Sequence, residues 1–147
     1  MVVDSLNRKI LKCLQENARL SNAEIGRQVG ISSPAVSERI KKMEDLGIIE
    51  GYKTIVSPFE IGYQLKAIIT LRAFMGKLRP FLDKVKTYDE VINCYRITGD
   101  ENIVMEVVLK NQKHLETFID QLITYGESKT QIVLSNVVKQ KEVTPIK

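Results

Sequence analysis

Apolar residues recur with helical spacing over the first fifty positions, and the pattern then turns to alternation. Leu6, Ile10, Leu11 and Leu14 share one helix face, with Asp4 or Ser5 placed to cap it. Ser21 and Glu24 have capping-box spacing, with Leu20 and Ile25 at the flanking staple positions, so a short helix is expected over about 22–29. Gly30 suits the left-handed residue that ends it. Only Ile31 separates Gly30 from the next cap, Ser32. Pro34 is tolerable in a first turn, and Val36, Ile40 and Met43 follow at i, i+4 and i+7 until Leu46–Gly47 closes the helix. Three helices, the last two joined by a very tight turn, predict a helix-turn-helix. Gly26 lies inside the second helix, where glycine costs roughly 1 kcal/mol against alanine. A close crossing of the second and third helices would offset that cost.

Beyond Gly47 the sequence IIEGYKTIVSP reads as a strand leaving the first domain, and Pro58 and Gly62 punctuate a linker. LKAIITLRAF, a helix at about 78–87, VINCYRIT, NIVMEVVL, a helix at about 112–124, and QIVLSNVV give the order βαββαβ. Leu78, Phe81, Leu82, Val85 and Leu115, Phe118, Ile119, Leu122 repeat one spacing, a weak internal duplication. The expected fold is α+β: a helix-turn-helix over 1–50, a linker strand over 51–62, and a ferredoxin-like four-stranded antiparallel sheet with both helices on one face over 63–147. In NIVMEVVL, Ile103, Met105, Val107 and Leu109 take one face while Val104 and Val108 take the other. An apolar second face should not stay wet, so sheet-to-sheet dimerisation is expected.

Charge permits a nucleic-acid partner without demonstrating one. The net charge is +4 over 147 residues and is not concentrated in either half. The chain has one histidine and two distant cysteines, Cys13 and Cys94, both in apolar patterns. They read as reduced core residues, and no metal or cofactor site is expected. No apolar run approaches the roughly 20 residues of a membrane span. The start, MVVDSLNRK, lacks a signal-peptide pattern. The expected location is the cytoplasm, with no membrane partner.

Two stretches carry a family resemblance: LSNAEIGRQVGISSPAVSERIKKMEDLGIIEGY, and NCYRITGDENIVMEVVLKNQKHLETFIDQL followed by TQIVLSNVV. In this order, joined by a short strand and with YRITGD before the third sheet strand, they resemble the Lrp/AsnC family of transcription regulators over almost the whole chain. The resemblance implies an N-terminal winged helix-turn-helix and a C-terminal effector domain. It also implies dimers joined through the C-terminal sheets, higher assemblies up to octamers, and amino-acid effectors bound near dimer–dimer contacts.

On the third helix, residues at 100° intervals from the core stripe form the candidate DNA face. Ser33, Pro34, Ala35, Ser37 and Glu38 fall where side chains reach base edges in the major groove. Arg39, Lys41 and Lys42, with Arg27 from the second helix, are the candidate phosphate contacts, and the helix start at Ser32 and Ser33 offers N–H groups. Glu38 either accepts from a base or pairs with Lys41 or Lys42 along the helix.

The resemblance also carries an effector role to Thr98, Gly99, Asp100 and Glu101, with Thr130 and Gln131 before the last strand. Many family members have an aromatic residue and then an aspartate after Gly-Asp. Here Glu101 and Asn102 stand in those places. Glu101 then either favours a basic side chain or blocks the ligand, and GDEN also reads simply as a good β-turn. Three functions compete: an amino-acid-responsive DNA-binding regulator, a ligand-independent architectural DNA-binding protein, and remotely a tetrapyrrole decarboxylase of similar fold. The sole His114, at the start of the last helix beside a lysine, reads as a surface residue rather than a catalyst. The protein is therefore expected not to be an enzyme.

Overall fold

Asp4 starts the first helix. In the computed structural model, which describes residues 3–146, its carboxylate accepts from the Asn7 N–H at 2.7 Å and caps α1 (Ser5–Glu16). Ser21 and Glu24 form the expected reciprocal capping box at the start of α2 (Asn22–Val29). Ser32 accepts from the Ala35 N–H at the start of α3 (Ser33–Asp45). Ile10, Ile25, Val36 and Met43 are fully buried where the three helices meet, with Leu20 and Ile40 packed beside them.

Gly30 adopts φ 83° and ψ 34° as expected for the residue that turns the chain. The Gly26 carbonyl accepts from both the Gly30 and the Ile31 N–H groups, at 2.8 and 3.1 Å. A Cβ added to Gly26 would stand 2.5 Å from the Ile31 carbonyl oxygen, a backbone atom with little freedom to retreat. Arg39 of α3 reaches back to α1: its Nη1 donates to Asp4 Oδ2 at 2.7 Å and to Asn7 Oδ1 at 2.9 Å. Tyr52, beyond α3, donates to Glu44 at 2.9 Å, and burial together with that carboxylate pushes its hydroxyl up to about 12.

The second unit is a four-stranded antiparallel sheet. Its elements are β1 (Leu65–Ala73), α4 (Leu78–Lys84) with a 3₁₀ turn at Val85–Thr87, β2 (Val91–Arg96), β3 (Ile103–Leu109), α5 (Gln112–Leu122) and β4 (Gly126–Ile132). The spatial order is β2-β3-β1-β4, with Ile69 opposite Met105 on one side and Thr130 on the other. Ala67, Ile69, Leu71, Ile103, Met105 and Val107 pack against Phe81, Phe118 and Leu122 of the helices. The other face carries Ile68, Val104 and Tyr95 around a polar row, in which Glu106 accepts from Asn93 at 2.7 Å and lies 3.8 Å from Lys66.

Three expectations shift. The last strand was expected over 131–138 but forms at Gly126–Ile132. Pairing with β1 decides its position, and an edge strand tolerates the charged residues Glu127 and Lys129, while Leu134 and Val137, in the apolar run, are almost fully exposed. The linker strand over 51–62 is absent: among the described residues, 51–57 join no ladder and Pro58–Gly62 form a turn. The C-terminal tail, read with the sheet, instead groups with the helices: one compact unit holds the chain up to Ile55 together with Val138 onward, the other Val56–Val137.

Replacing Gly26 with alanine should destabilise the helical unit by about 1–3 kcal/mol despite the better helix propensity, because the new methyl meets backbone; urea denaturation followed by circular dichroism measures it. Asp4 also responds to pH. The Asn7 N–H and the Arg39 guanidinium hold its carboxyl below the ordinary 3.8. A depressed carboxyl stabilises fully above its unfolded value and loses that contribution as pH falls through the folded one. Asp4→Asn should therefore flatten the acid limb of the stability profile below about pH 4, while wild type loses stability there.

Candidate nucleic-acid interface and effector site

α3 is held so that one stripe stays exposed. Val36 and Met43 anchor it in the core. Pro34, Ser37, Glu38, Lys41 and Lys42 are exposed on the opposite side, Ser33 and Ala35 are half-buried at the helix start, and Ser32 and Arg27 are exposed. Lys41, Lys42 and Glu38 enter no ion pair among the described residues, so the i,i+4 pairing considered for Glu38 does not form. Arg39 differs from the other cations of the stripe. Its guanidinium is committed to Asp4 and Asn7, which makes it the brace between α3 and α1. At the helix start Pro34 has no N–H, while those of Ala35 and Val36 go to Ser32. The Ser33 N–H is the donor of that turn with no intrahelical acceptor.

The loop between β2 and β3 is closed by an Ile97 N–H to Asn102 carbonyl bond of 3.0 Å. Asn102 is also pinned to β1: its N–H donates to the Leu71 carbonyl at 3.1 Å and its side-chain oxygen accepts from the Ala73 N–H at 3.0 Å. Its side chain thus orients the loop. Thr98, Gly99 and Asp100 are exposed, and Gly99 takes φ 112°. Glu101 is half-buried and accepts from Lys129 at 2.5 Å; the pairing holds the Glu101 carboxyl below its ordinary range and the Lys129 ammonium above.

A cavity of about 420 Å³ opens here, lined by Arg72, Asp100, Glu101, Glu127, Ser128 and Lys129. Arg72 donates to Glu127 at 2.6 Å across the β1–β4 ladder. The structure thus gathers Asp100 and Glu101 with four residues that the sequence reading missed. Thr130 and Gln131 do not line the cavity and alternate on opposite faces of β4. The signal for Arg72 and Glu127 was a cross-strand pair, visible only once β4 is placed at 126–132. His114 is half-buried rather than at the surface: one ring nitrogen meets Glu90 at 2.9 Å, and Nδ1 accepts from the Lys110 N–H at 3.2 Å.

Residues 3–50 match the winged helix-turn-helix DNA-binding model, and residues 66–143 match the Lrp/AsnC ligand binding domain. The HTH-type transcriptional regulator LrpB of Bacillus subtilis is 31% identical over 141 residues, covering 95% of this chain and 93% of that protein. The structure of E. coli AsnC superposes with a TM-score of 0.87 at 30% identity, covering 99% of this chain and 100% of that one. A transcriptional regulator of Neisseria meningitidis, solved as its L-Met complex, gives 0.89 at 27% identity over 94% of each chain. The chain belongs to the Lrp/AsnC family of helix-turn-helix transcriptional regulators.

Proposed function

We propose that α3 enters the major groove, with Ser33, Pro34, Ala35, Ser37 and Glu38 at base edges and Arg27, Lys41 and Lys42 on phosphates, and that an amino acid at the 98–101 loop modulates binding. The unpaired lysines on the stripe opposite Val36 and Met43 carry the DNA half of the reading. Serine hydroxyls both donate and accept, while alanine and proline suit a thymine methyl. Few long side chains reach bases, so affinity comes from several half-sites held by a dimer-based assembly, extending to octamers. Ile68, Val104 and Tyr95 on the face of the sheet away from α4 and α5 support pairing with a second copy. Such a protein works in the cytoplasm at the nucleoid. Among the described residues no helix is long and apolar enough to cross a membrane.

For the effector, Asp100 is the acceptor for an α-ammonium, and the cations Arg72 and Lys129 flank it for an α-carboxylate. The L-Met bound to the Neisseria relative supports an amino acid as the class. A ligand-independent architectural protein is the second reading, favoured by one observation: Arg72 and Lys129 already carry glutamate partners, which a carboxylate must displace. Against the decarboxylase reading, the relatives are named transcriptional regulators, and His114 is engaged by Glu90 and the Lys110 N–H within the fold. We therefore infer a protein that is not an enzyme.

The deciding experiment is binding to DNA upstream of its own gene across a salt series, with and without the twenty amino acids. Tight binding that weakens with salt and shifts with the mixture is expected. Binding that ignores the mixture selects the architectural reading, and absence of binding at low salt overturns the α3 assignment. Lys41→Ala and Lys42→Ala should each lower the salt slope by about 1 per DNA-bound subunit, whereas Arg39→Ala should lower thermal stability and leave the slope unchanged. Asp100→Asn should abolish the amino-acid response while effector-free DNA affinity stays within about twofold, a change below about 0.4 kcal/mol.

A further inference from the structure

We infer that the C-terminal segment is a releasable strap on α1, giving the DNA-binding unit a second connection to the sheet. Gln15 holds it. The Gln15 side-chain amide donates to the Val143 carbonyl at 3.1 Å and accepts from the Val143 N–H at 2.8 Å. One side chain thus reads both backbone groups of one residue, as a neighbouring strand would. Arg8, two turns earlier on the same helix face, donates to the Ile146 carbonyl at 3.4 Å while its Nε holds the Val3 carbonyl at 3.0 Å. The spacing agrees with the geometry. From Gln15 back to Arg8 the helix advances about 10 Å, and from Val143 to Ile146 an extended chain advances about 10 Å. Pro145 favours that extended form at Thr144.

The contact is built to open. The side chains of Val143 and Ile146 are 76% and 93% exposed, so the strap leaves no core behind when it lifts. Beneath it lies a groove of about 810 Å³, lined by Leu11, Leu14, Ile48, Tyr52, Val143 and Pro145. The chain reaches the strap directly from β4, the strand that carries Glu127 and Lys129. The helical unit therefore has one covalent connection through the residues after α3 and one hydrogen-bonded connection through the strap. Closing the strap restricts the orientations of α3, and opening it frees them. The effect on DNA rests on the function proposed above; the strap itself does not.

Gln15→Ala removes both bonds at an exposed helical position where alanine folds well. Gln15→Glu keeps only the acceptor, and Val143→Pro removes only the N–H. Amide exchange in the full-length protein should rise at Val143 at least tenfold in Gln15→Ala and less in Gln15→Glu. The Gln15→Ala, Val143→Pro double variant should expose Lys139 and Lys141 to trypsin no more than Gln15→Ala alone. Affinity for the upstream DNA should change at least threefold in Gln15→Ala with an unchanged circular dichroism spectrum. Unchanged exchange at Val143 overturns the strap, and a freed tail with unchanged DNA affinity overturns its coupling. Protection in wild type with no DNA binding at all keeps the strap and removes the DNA reading. In a mixture of ¹⁵N-labelled wild type with excess unlabelled Gln15→Ala, Val143 stays protected if the strap closes within one chain; lost protection shows a strap exchanged between subunits and overturns the assignment.

Discussion

The missing side chain at Gly26 sets the distance between α2 and α3. The Ile31 carbonyl occupies the space where any Cβ would sit, and the carbonyl of Gly26 accepts from the two amides that begin the turn. The same residue therefore admits the turn and holds its hydrogen bonds. With α3 so close, Val36 and Met43 reach the shared core, and the stripe from Pro34 to Lys42 points outward. A helix propensity penalty at one residue is exchanged for the orientation of the entire recognition helix. Arg39 adds a second restraint, since its ion pair with Asp4 joins α3 to the cap of α1.

In the sheet the corresponding constraint is β1, which pairs with both β3 and β4. Its alternation sends Ala67, Ile69 and Leu71 under the helices, and Arg72 to the other face. Arg72 stands opposite Glu127, and Leu71 opposite both Ile103 and Ser128. Asn102 then fastens the 97–102 loop to the end of β1 at Leu71 and Ala73. The cavity is a consequence of register: the loop and the first half of β4 meet because both are hydrogen-bonded to one end of one strand.

What was legible in the sequence follows from which interactions are local. The caps at Asp4, Ser21 and Ser32, the glycine turn, and the helical stripes each involve residues within a few positions of one another, and all formed as read. β3 was readable because alternation over Ile103–Leu109 is strong. β4 was not, since GESKTQI has little apolar alternation and its position depends on pairing with a strand more than fifty residues away. With the last strand read at 131–138, the pairs of Arg72 with Glu127 and of Glu101 with Lys129 had no visible basis. Arg39 has a helical position that suits a phosphate contact, and its partner within the fold, at the start of a different helix, could not be read from that position. The tail's attachment runs through backbone groups of Val143, which leave no trace in residue identity.

Commitment of charge inside the fold bears on how the molecule meets its partners. Of the three cations on α3, one braces the fold and two are exposed with no ion pair among the described residues. Under the proposed function, two unpaired lysines toward the end of one helix give a modest, salt-sensitive attraction for phosphates. The sheet shows the complementary arrangement: at the cavity both cations already have a carboxylate, and Asp100 is the carboxylate with no ion pair among the described residues. Under the proposed effector reading, an incoming zwitterion would meet Asp100 as acceptor for its ammonium and would compete for each cation. Exposed ion pairs are worth about 1 kcal/mol or less, small enough for such an exchange to occur. Because Glu127 and Lys129 both lie on β4, any exchange of partners there acts on the strand from which the C-terminal chain returns to α1.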